Sequence, residues 1–436
     1  MAFQQGLSGL GVSSRALDVI SSNVANASTV GFKTSSTVFS DTFAAAMGGG
    51  VSSLQVGMGG NTLAVRQSFT QGATTATNNP LDMAIAGNGF FQIERNNGSV
   101  AFSRNGQFDL DKDGYIVTSL GERLMGYQSV NGDGTVSFIG STTPRPILVP
   151  PNGVGAKATG DGGTGDPVVI RGNLDSAATA PAATNPFDST DPSSYNFTTS
   201  AAVYDSLGNQ HSLSLFFRKL DPTTNANQWE VYTKFDNADL AAPDTPDPAT
   251  PSTIVFDPST GTFDSTSAAL ANHPISVLVD TLTLNTGAVN LQFEVDLSQF
   301  TQRRSGSATF EISQDGSPPG EIASVSVSDS GIVQGRYTNG ETRDLGQVIL
   351  ATFRNPNGLA SVGDNLWVET VDSCQAALAG PGDGLNGTIG SGRVEESNVD
   401  MSAELVNMII QQRNYQANAQ SIKTQDQLLQ TLINLR

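Results

Sequence analysis

Apolar residues recur every seven positions through the N-terminal segment of the chain. The series and its neighbours on the same helical face are Phe3, Leu7, Leu10, Leu17, Ile20 and Val24. A seven-residue repeat places its members along one side of an α-helix, as in the seam of a coiled coil. We therefore expect a helix at this end of the chain with one apolar stripe.

The C-terminal segment repeats the same pattern. Its apolar stripe consists of Met401, Leu405, Met408, Tyr415, Ile422, Leu429 and Leu432. Either Asp400 or Ser402 is suited to cap the start of this helix, because both side chains can accept a hydrogen bond from a backbone N–H of the first turn. We expect a second long helix here, with Asp400 and Ser402 as alternative N-cap residues.

Two interpretations of these terminal helices remain open on pattern alone. Their other faces carry Gln, Asn and Ser rather than pairs of Glu and Lys. Polar but nearly uncharged faces are typical of helices packed among other protein. The helices could lie on the core of their own domain, or they could form a coiled coil with partner chains.

Between the two ends, short runs of β-branched and aromatic residues alternate with turn residues. Strands are predicted at residues 89–93, 212–217, 275–284, 291–295 and 324–327. Asn-Gly pairs begin at residues 97, 105, 131 and 339, and such pairs favour hairpin turns because both residues tolerate positive φ. Many short strands joined in this way indicate antiparallel sandwiches or barrels rather than a βαβ fold.

Proline and charge divide the 436-residue chain in the same way. All 20 prolines lie from Pro80 to Pro381, so both ends permit uninterrupted helices. The chain has 22 basic and 41 acidic residues, a net charge of −19, whereas residues 1–70 and 401–436 each carry +1. The two ends therefore resemble each other and differ from the acidic centre. The length suggests about three domains.

The composition argues against several classes of function. A strongly acidic chain repels nucleic acid and anionic membranes. The one cysteine, Cys374, excludes an internal disulfide framework, and two histidines, His211 and His273, leave few candidates for zinc binding or histidine catalysis. No run approaches the ~18 apolar residues of a membrane span, and the N-terminus lacks the basic cluster of a cleaved signal peptide.

One segment is similar to the start of a calcium-binding loop. Asp109, Asp111 and Asp113 have the spacing of the first ligands, but Leu120 stands where that loop needs a bidentate Glu. We therefore interpret the segment as a hairpin turn. Neither a G-x-S-x-G nor an H-E-x-x-H motif is present, so we predict no catalytic, cofactor or metal site and no enzyme.

Motifs at both ends and in the centre resemble a known family. Residues 17–33 (LDVISSNVANASTVGFK) are similar to the N-terminal signature of bacterial flagellar rod and hook proteins. Residues 396–401 (ESNVDM), 411–416 (QQRNYQ) and 423–426 (KTQD) resemble the matching C-terminal signature, and residues 79–91 contain two motifs of the family's first outer β domain. The signature residues are Asn23, Asn26, Gly31, Phe32, Lys33, Asn398, Asp400, Arg413, Asn414 and Tyr415.

A β-rich insertion decides between the members of this family. Rod proteins are generally much shorter than this chain, which has extra sequence at roughly residues 148–318. Within the insertion, residues 203–217 (VYDSLGNQHSLSLFF) resemble the outer domain of hook proteins. The resemblance therefore implies the hook type, with a distal rod protein or a secreted β-rich adhesin as alternatives.

The resemblance also implies an α+β, mainly β fold with three nested layers. Residues 1–70 with 370–436 would form an inner core of coiled-coil-like terminal helices and a connecting segment. Residues 71–147 with 319–369 would form a middle β domain, and residues 148–318 an outer one. Both β domains are expected to be antiparallel sandwiches or barrels.

For function, the resemblance implies a structural subunit of the flagellar hook. Copies would polymerise through the two helical stripes into a curved, flexible tube that acts as a universal joint between rod and filament. The implied partners are further copies of the chain, the distal rod protein, the hook cap, the hook-length control protein and the hook-filament junction proteins. Export through the flagellar type III apparatus without a cleaved signal peptide is expected.

Overall fold

The two ends of the chain are helical and the region between them is built from β-strands, so the protein is mainly β. The computed structural model describes residues 2–42, 59–130, 136–137, 143–151, 153–182, 186–223, 225–236, 238–239, 251–271, 273–279 and 286–434. The predicted turn at 131–132 and the second half of the predicted strand at 275–284 lie outside the described residues.

The chain folds into two units. Unit 1 comprises Met1–Pro151, Ala323–Arg336 and Thr342–Arg436, and unit 2 comprises Asn152–Ile322 and Tyr337–Glu341. Unit 1 therefore contains both chain ends. The helices are α1 (Ala2–Ala25) and α2 (Met401–Asn434). Both confirm the elements that the heptad spacing predicts.

The strands before unit 2 and those after it complete unit 1. In the first group they are β1 (Ser35–Thr42), β2 (Gly59–Gln67), β3 (Thr74–Ala76), β4 (Met83–Ala86), β5 (Phe90–Glu94), β6 (Val100–Ser103), β7 (Phe108–Leu110), β8 (Ile116–Thr118), β9 (Arg123–Tyr127), β10 (Ser129–Val130), β11 (Val136–Ser137) and β12 (Pro144–Pro146).

Strands β13 to β22 belong to unit 2. They are β13 (Val168–Asp175), β14 (Phe197–Tyr204), β15 (Gln210–Lys219), β16 (Gln228–Phe235), β17 (Ala238–Asp239), β18 (Ser252–Val255), β19 (Ile275–Val279), β20 (Leu291–Asp296), β21 (Phe300–Arg303) and β22 (Ala308–Ser313). The later strands are β23 (Ile322–Val327), β24 (Ile332–Tyr337), β25 (Thr342–Val348), β26 (Leu350–Thr352), β27 (Ala360–Gly363), β28 (Leu366–Val368), β29 (Ala377–Ala379), β30 (Thr388–Ser391) and β31 (Arg393–Glu395).

A 13-stranded sheet dominates unit 1, with the path β23-β24-β25-β9-β5-β6-β28-β27 and further strands paired off it. Strand β5 is buried on both faces, because Phe91 and Ile93 alternate with Phe90 and Gln92 and all four are buried. Smaller sheets join the chain ends to this body: β3 pairs with β31, and β4 pairs with β30. The hairpin β1–β2 contacts α1.

Unit 2 contains two five-stranded sheets, one built around β13 and β20 and the other around β15 and β16. Residues of both sheets contribute to one buried hydrophobic cluster, which includes Val168, Phe217, Trp229 and Phe293. The expectation of wholly antiparallel pairing is wrong here. Strand β13 pairs in parallel with β20 and β21, because the whole second sheet intervenes in sequence and supplies the long connection that parallel pairing needs.

Two of the Asn-Gly pairs form the predicted hairpins. Gly98 closes the turn between β5 and β6, and Gly340 closes the turn between β24 and β25. The pair at Asn105-Gly106 does not, since the strands on either side of it pair with other strands. A Cβ at Gly106 would lie against the Met83 carbonyl. That glycine therefore permits a close approach of two backbone segments rather than a hairpin.

Candidate assembly surface

Helix α1 packs against α2 through a face of small residues. The buried positions of α1 are Gly6, Ser13, Ala16, Ile20 and Asn23, and their alternating steps of three and four describe one helical face when half-buried Gly9 is included. A Cβ at Gly6 would lie 2.8 Å from Ile422 Cγ1, and one at Gly9 would lie 2.7 Å from Asn418 Nδ2. The missing side chains thus let the two helices approach closely.

The face of α2 that is least exposed mixes apolar and polar residues. Met408 and Ile422 of the predicted stripe are half-buried, and so are Gln411, Asn418 and Gln425. Because Ile422 and Asn418 lie against the glycines of α1, this is the face that contacts α1. The contact between the two helices therefore uses only part of the apolar stripe of α2.

Much of the predicted apolar surface remains open to solvent. In α1, Phe3 is 47% exposed and Leu7 is 58% exposed, whereas Ile20 is buried. Leu10, Leu17 and Val24 are half-buried. The predicted stripe of α1 thus lies on the helical face next to the one that contacts α2, since most of its residues follow a residue of the contact face by one position.

Helix α2 has a larger exposed apolar surface than the heptad predicts. Of the predicted residues, Met401, Leu405, Tyr415 and Leu429 are exposed, and the side chain of Leu432 lies outside the described residues. The exposed apolar residues that the heptad missed are Val406, Ile409, Ile410 and Leu428. Adjacent apolar pairs at 405–406, 409–410 and 428–429 were the signal that could have revealed them.

The signature residues of the N-terminal motif tie α1 to its surroundings. Asn23 Nδ2 donates to the Ser35 carbonyl oxygen at 2.8 Å, and Asn23 Oδ1 accepts from the Ser35 amide at 2.9 Å. The same Nδ2 reaches Glu404 Oε1 of α2 at 3.3 Å. Asn26 Nδ2 donates to the Ser22 carbonyl oxygen at 2.9 Å at the end of the helix. These bonds fix the angle at which the chain leaves α1.

A buried ion cluster joins both chain ends to the sheet. Lys33 Nζ lies 2.6 Å from Glu395 Oε1, and Arg104 Nη1 lies 3.2 Å from Glu395 Oε2. Lys33 Nζ also donates to the Thr70 carbonyl oxygen at 2.7 Å. Burial lowers the pKa of Lys33 and of Arg104, and the Glu395 carboxylate opposes both shifts. Three distant parts of the sequence, at residues 33, 104 and 395, thus meet in one buried cluster.

Glycine is required at position 31 for two reasons. Gly31 has a φ of 72°, in the left-handed region, and a Cβ there would lie 2.5 Å from the Asn105 backbone nitrogen. Its own amide donates to the Glu395 carbonyl oxygen at 2.8 Å. Half-buried Phe32 follows it, and its amide donates to the Thr29 carbonyl oxygen.

The C-terminal signature divides into a structural part and an exposed part. Asn398 Oδ1 accepts from the Thr34 amide at 2.7 Å, and Asp400 Oδ1 accepts from the amides of Ser402 and Ala403 at 2.9 and 3.1 Å. Asp400 is therefore the N-cap of α2. The other signature residues, Arg413, Asn414 and Tyr415, lie on the exposed surface of α2.

The aspartates of the calcium-loop-like segment have a structural role. Asp111 Oδ1 accepts from the amides of Asp113 and Tyr115, as in a hairpin turn between β7 and β8. The exposed thiol of Cys374 is free. In the described part of the chain, no three His, Cys, Asp or Glu residues come close enough together to hold a metal ion, and no helix is long and apolar enough to span a membrane.

His211 of unit 2 lies between two carboxylates. Its Nδ1 is 2.6 Å from Asp236 Oδ2 and its Nε2 is 3.4 Å from Asp205 Oδ2. Burial acts to raise the pKa of Asp205, but hydrogen bonds from Asn209 and Thr286 lower it overall. The bonds from Asn209 also close the turn between β14 and β15. This cluster organises a turn of unit 2.

Four family descriptions match successive parts of the chain. Residues 3–33 match "Flagella basal body rod protein", and residues 84–163 match "Flagellar hook protein FlgE/F/G D1 domain". Residues 173–317 match "Flagellar basal body protein FlaE D2 domain", and residues 391–435 match "Flagellar basal body rod FlgEFG protein C-terminal". The two helices, the strands of unit 1 from β4 to β12 and most of unit 2 are thus matched.

Relatives match over the whole length. The flagellar hook protein FlgE of Salmonella typhimurium is 40% identical over 437 residues, covering 100% of both chains. The FlgE of Escherichia coli is 40% identical over 445 residues with the same coverage, and that of Borreliella burgdorferi is 30% identical, covering 99% of this chain and 98% of its own. The chain belongs to the flagellar hook protein family. It is a hook subunit, a structural component of the flagellum.

The chain also has a fold similar to that of a solved flagellar hook protein. The flagellar hook protein FlgE2 of Helicobacter pylori aligns with a TM-score of 0.52 at 15% identity, covering 72% of this chain and 98% of that one. At this identity the likeness concerns the fold alone. The sequence relatives are named hook proteins. This agrees with the hook type that the insertion at residues 148–318 led us to expect for this chain.

Proposed function

We propose that copies of this chain polymerise through their terminal helices into the curved tube of the hook, which transmits motor torque from rod to filament as a universal joint. One observation carries the proposal: the contact between α1 and α2 uses only part of their apolar residues, and it leaves other large apolar side chains of both helices exposed. Exposed apolar patches on soluble proteins mark surfaces that bind other protein.

The exposed apolar residues lie on both helices, which supports assembly through two different surfaces. Phe3 and Leu7 lie on α1, while Leu405, Ile409 and Ile410 lie on α2. A tube is generated by contacts between unlike surfaces of identical subunits, so each copy must present two complementary surfaces. We infer that the α1 stripe of one copy and the α2 stripe of another bury each other as a coiled coil.

The proposed polymer has three layers. The inner layer comprises residues 1–70 with 370–436, the middle β domain residues 71–147 with 319–369, and the outer β domain residues 148–318. The shared hydrophobic cluster of the two five-stranded sheets supports a sandwich for the outer domain. Inner helices would hold the copies together, while the outer domains, joined by weaker polar contacts, slide as the tube bends.

The proposed partners follow from the position of a hook between rod and filament. Besides further copies of this chain, they are the distal rod protein, the hook cap, the hook-length control protein and the hook-filament junction proteins. We propose export through the flagellar type III apparatus without a cleaved signal peptide. The proposed role is mechanical and not enzymatic, and it involves neither nucleic acid nor insertion into a membrane.

Negative-stain electron microscopy of the purified protein under polymerising conditions tests this function. Wild-type protein is expected to form hollow curved tubes. The double variant Leu10→Asp/Leu17→Asp is expected to form none, because two carboxylates would have to be desolvated in the inner layer, while far-UV circular dichroism still reports the β-structure. Normal tubes from this variant, or a wild-type protein that stays monomeric, would contradict the proposal.

A further inference from the structure

Asn-Gly pairs are chemically reactive, and the chain contains several of them. In such a pair the backbone nitrogen of the glycine can attack the side-chain carbon Cγ of the asparagine, and glycine obstructs the resulting five-membered ring least because it has no Cβ. Within the described residues, most glycines of these pairs pack against another segment, at a distance of less than 3.4 Å from a Cβ built on them: Gly89, Gly106, Gly358 and Gly387. Gly98 and Gly340 differ, because a Cβ at either would meet nothing within 4 Å.

The pairs at 97–98 and 339–340 form hairpin turns of nearly the same geometry. Their glycines have φ of 78° and 87°, in the left-handed region. Each glycine amide donates to the carbonyl oxygen three residues before it, at 2.8 and 3.0 Å. Each asparagine Oδ1 accepts from the amide two residues after it, at 2.9 Å for Ser99 and 3.1 Å for Glu341. The two turns are therefore a matched pair within one molecule.

Asn97 is free to react in its turn. Its Oδ1 accepts a second hydrogen bond, from Ser99 Oγ at 2.6 Å, in addition to the one from the Ser99 amide. Negative charge develops on this oxygen when Cγ is attacked, so both donors stabilise the transition state. The Asn97 side chain is exposed, and its Nδ2, which must leave as ammonia, donates to no group in the described part of the chain.

Asn339 is held in place by its surroundings. Its Nδ2 donates to the Pro318 carbonyl oxygen at 2.9 Å, and this bond must break before ammonia can leave. Its half-buried carboxamide packs against Gly320, where a Cβ would lie 2.7 Å from Asn339 Cγ. The residue two positions after it is Glu341, which has no hydroxyl group to act as a second donor. The same pair of residues is thus reactive in one turn and protected in the other.

We propose that Asn97 is a modification site at which the folded protein deamidates spontaneously. The Gly98 nitrogen forms a bond to Asn97 Cγ, the bond from Cγ to Nδ2 breaks, and the proton of the Gly98 amide passes through water to the ammonia that leaves. Water then opens the succinimide ring to aspartate or isoaspartate. The product carries one more negative charge than the original chain. All reacting groups except water belong to one chain, so the inference does not depend on polymerisation.

Peptide mapping by mass spectrometry measures this conversion in the purified full-length chain, incubated at neutral pH. Trypsin cleaves after Arg and Lys and therefore places Asn97 and Asn339 in separate peptides. Asn97 is expected to convert at least about tenfold faster than Asn339, because breaking one side-chain hydrogen bond before the reaction costs roughly a factor of ten. In concentrated urea, where both turns are lost, the two rates should converge. Conversion of Asn97 in the folded chain that is no faster than that of Asn339 would overturn the proposal.

The variant Ser99→Ala tests the hydroxyl donor. Ser99 is exposed, so the fold should persist, as far-UV circular dichroism can verify. Conversion of Asn97 is expected to slow about fivefold, less than at a buried oxyanion site because water can replace the donor, and Asn339 should convert as before. The matched control Asn96→Gln changes the exposed neighbour of the pair and should leave both rates unchanged. An unchanged rate at Asn97 in Ser99→Ala, or equal slowing at both asparagines, would contradict the role of this donor.

Discussion

Replacing both Ile409 and Ile410 with Ala should weaken assembly without weakening the monomer. These side chains are 50% and 48% exposed on α2. Full burial of an isoleucine stabilises by roughly 1.5–3 kcal/mol, so burying the remaining half should contribute about 1 kcal/mol for each residue. The two together then supply about 2 kcal/mol per subunit, which corresponds to a roughly 30-fold rise in critical concentration when they are removed.

Pelleting of polymer by ultracentrifugation, with the free subunit measured in the supernatant, gives this concentration directly. Alanine has the highest helix propensity, so the substitution does not weaken α2 itself. The control is Gln412→Ala/Gln416→Ala, which changes two exposed polar residues of the same helix and should leave the critical concentration as it is. An Ile409→Ala/Ile410→Ala protein that pellets at the wild-type concentration would show that assembly does not bury this surface.

Three further predictions concern the joints of the fold. Glu395→Gln leaves Lys33 and Arg104 buried without their carboxylate and should lower the free energy of unfolding by about 3–5 kcal/mol, measured by urea denaturation. Asp400→Ala removes the N-cap of α2 and should cost about 1 kcal/mol, seen as reduced helicity by circular dichroism. Burial lowers the pKa of His273 from its ordinary 6.5, against the effect of the Asp296 carboxylate. As the pH falls through 6.5, the unfolded state therefore binds a proton at this residue before the folded state does. The stability that neutral His273 contributes is fully present above pH 6.5 and is lost as the pH falls from 6.5 to the lowered pKa of the folded state. Calorimetry at pH 7.5 and 5.5 should show a smaller loss of melting temperature for His273→Gln than for the wild type; equal losses would refute this.

The terminal helices could be predicted because their signal is local. Seven-residue spacing and the absence of proline identify both helices from the sequence alone, and the structure then selects Asp400 over Ser402 as the cap. The contact face of α1 could not be found in this way. Gly6, Gly9 and Ser13 carry almost no hydrophobic signal, so the periodicity selects the neighbouring apolar face instead.

The roles of the signature residues could not be predicted because they depend on distant partners. Lys33 and Glu395 are separated by 362 positions, and Lys33 gives no local sign that it is buried. A lysine is ordinarily expected at the surface. In the same way, the parallel pairing of β13 with β20 and β21 follows from the chain path through unit 2, which short-range strand and turn signals do not contain.

The contacts between the two segments that connect the helices to the sheets affect how force would be transmitted through the subunit. Each helix is linked to the sheets of unit 1 through a short segment, one leading from α1 and one leading into α2. The amides of Gly31 and Thr34 in the first segment bond to Glu395 and Asn398 in the second, and Lys33 adds a buried ion pair. If the terminal helices carry torque in the proposed tube, these two segments connect them to the sheets of unit 1. Their mutual bonding makes the two connections one joint, so a load on either helix is shared by both.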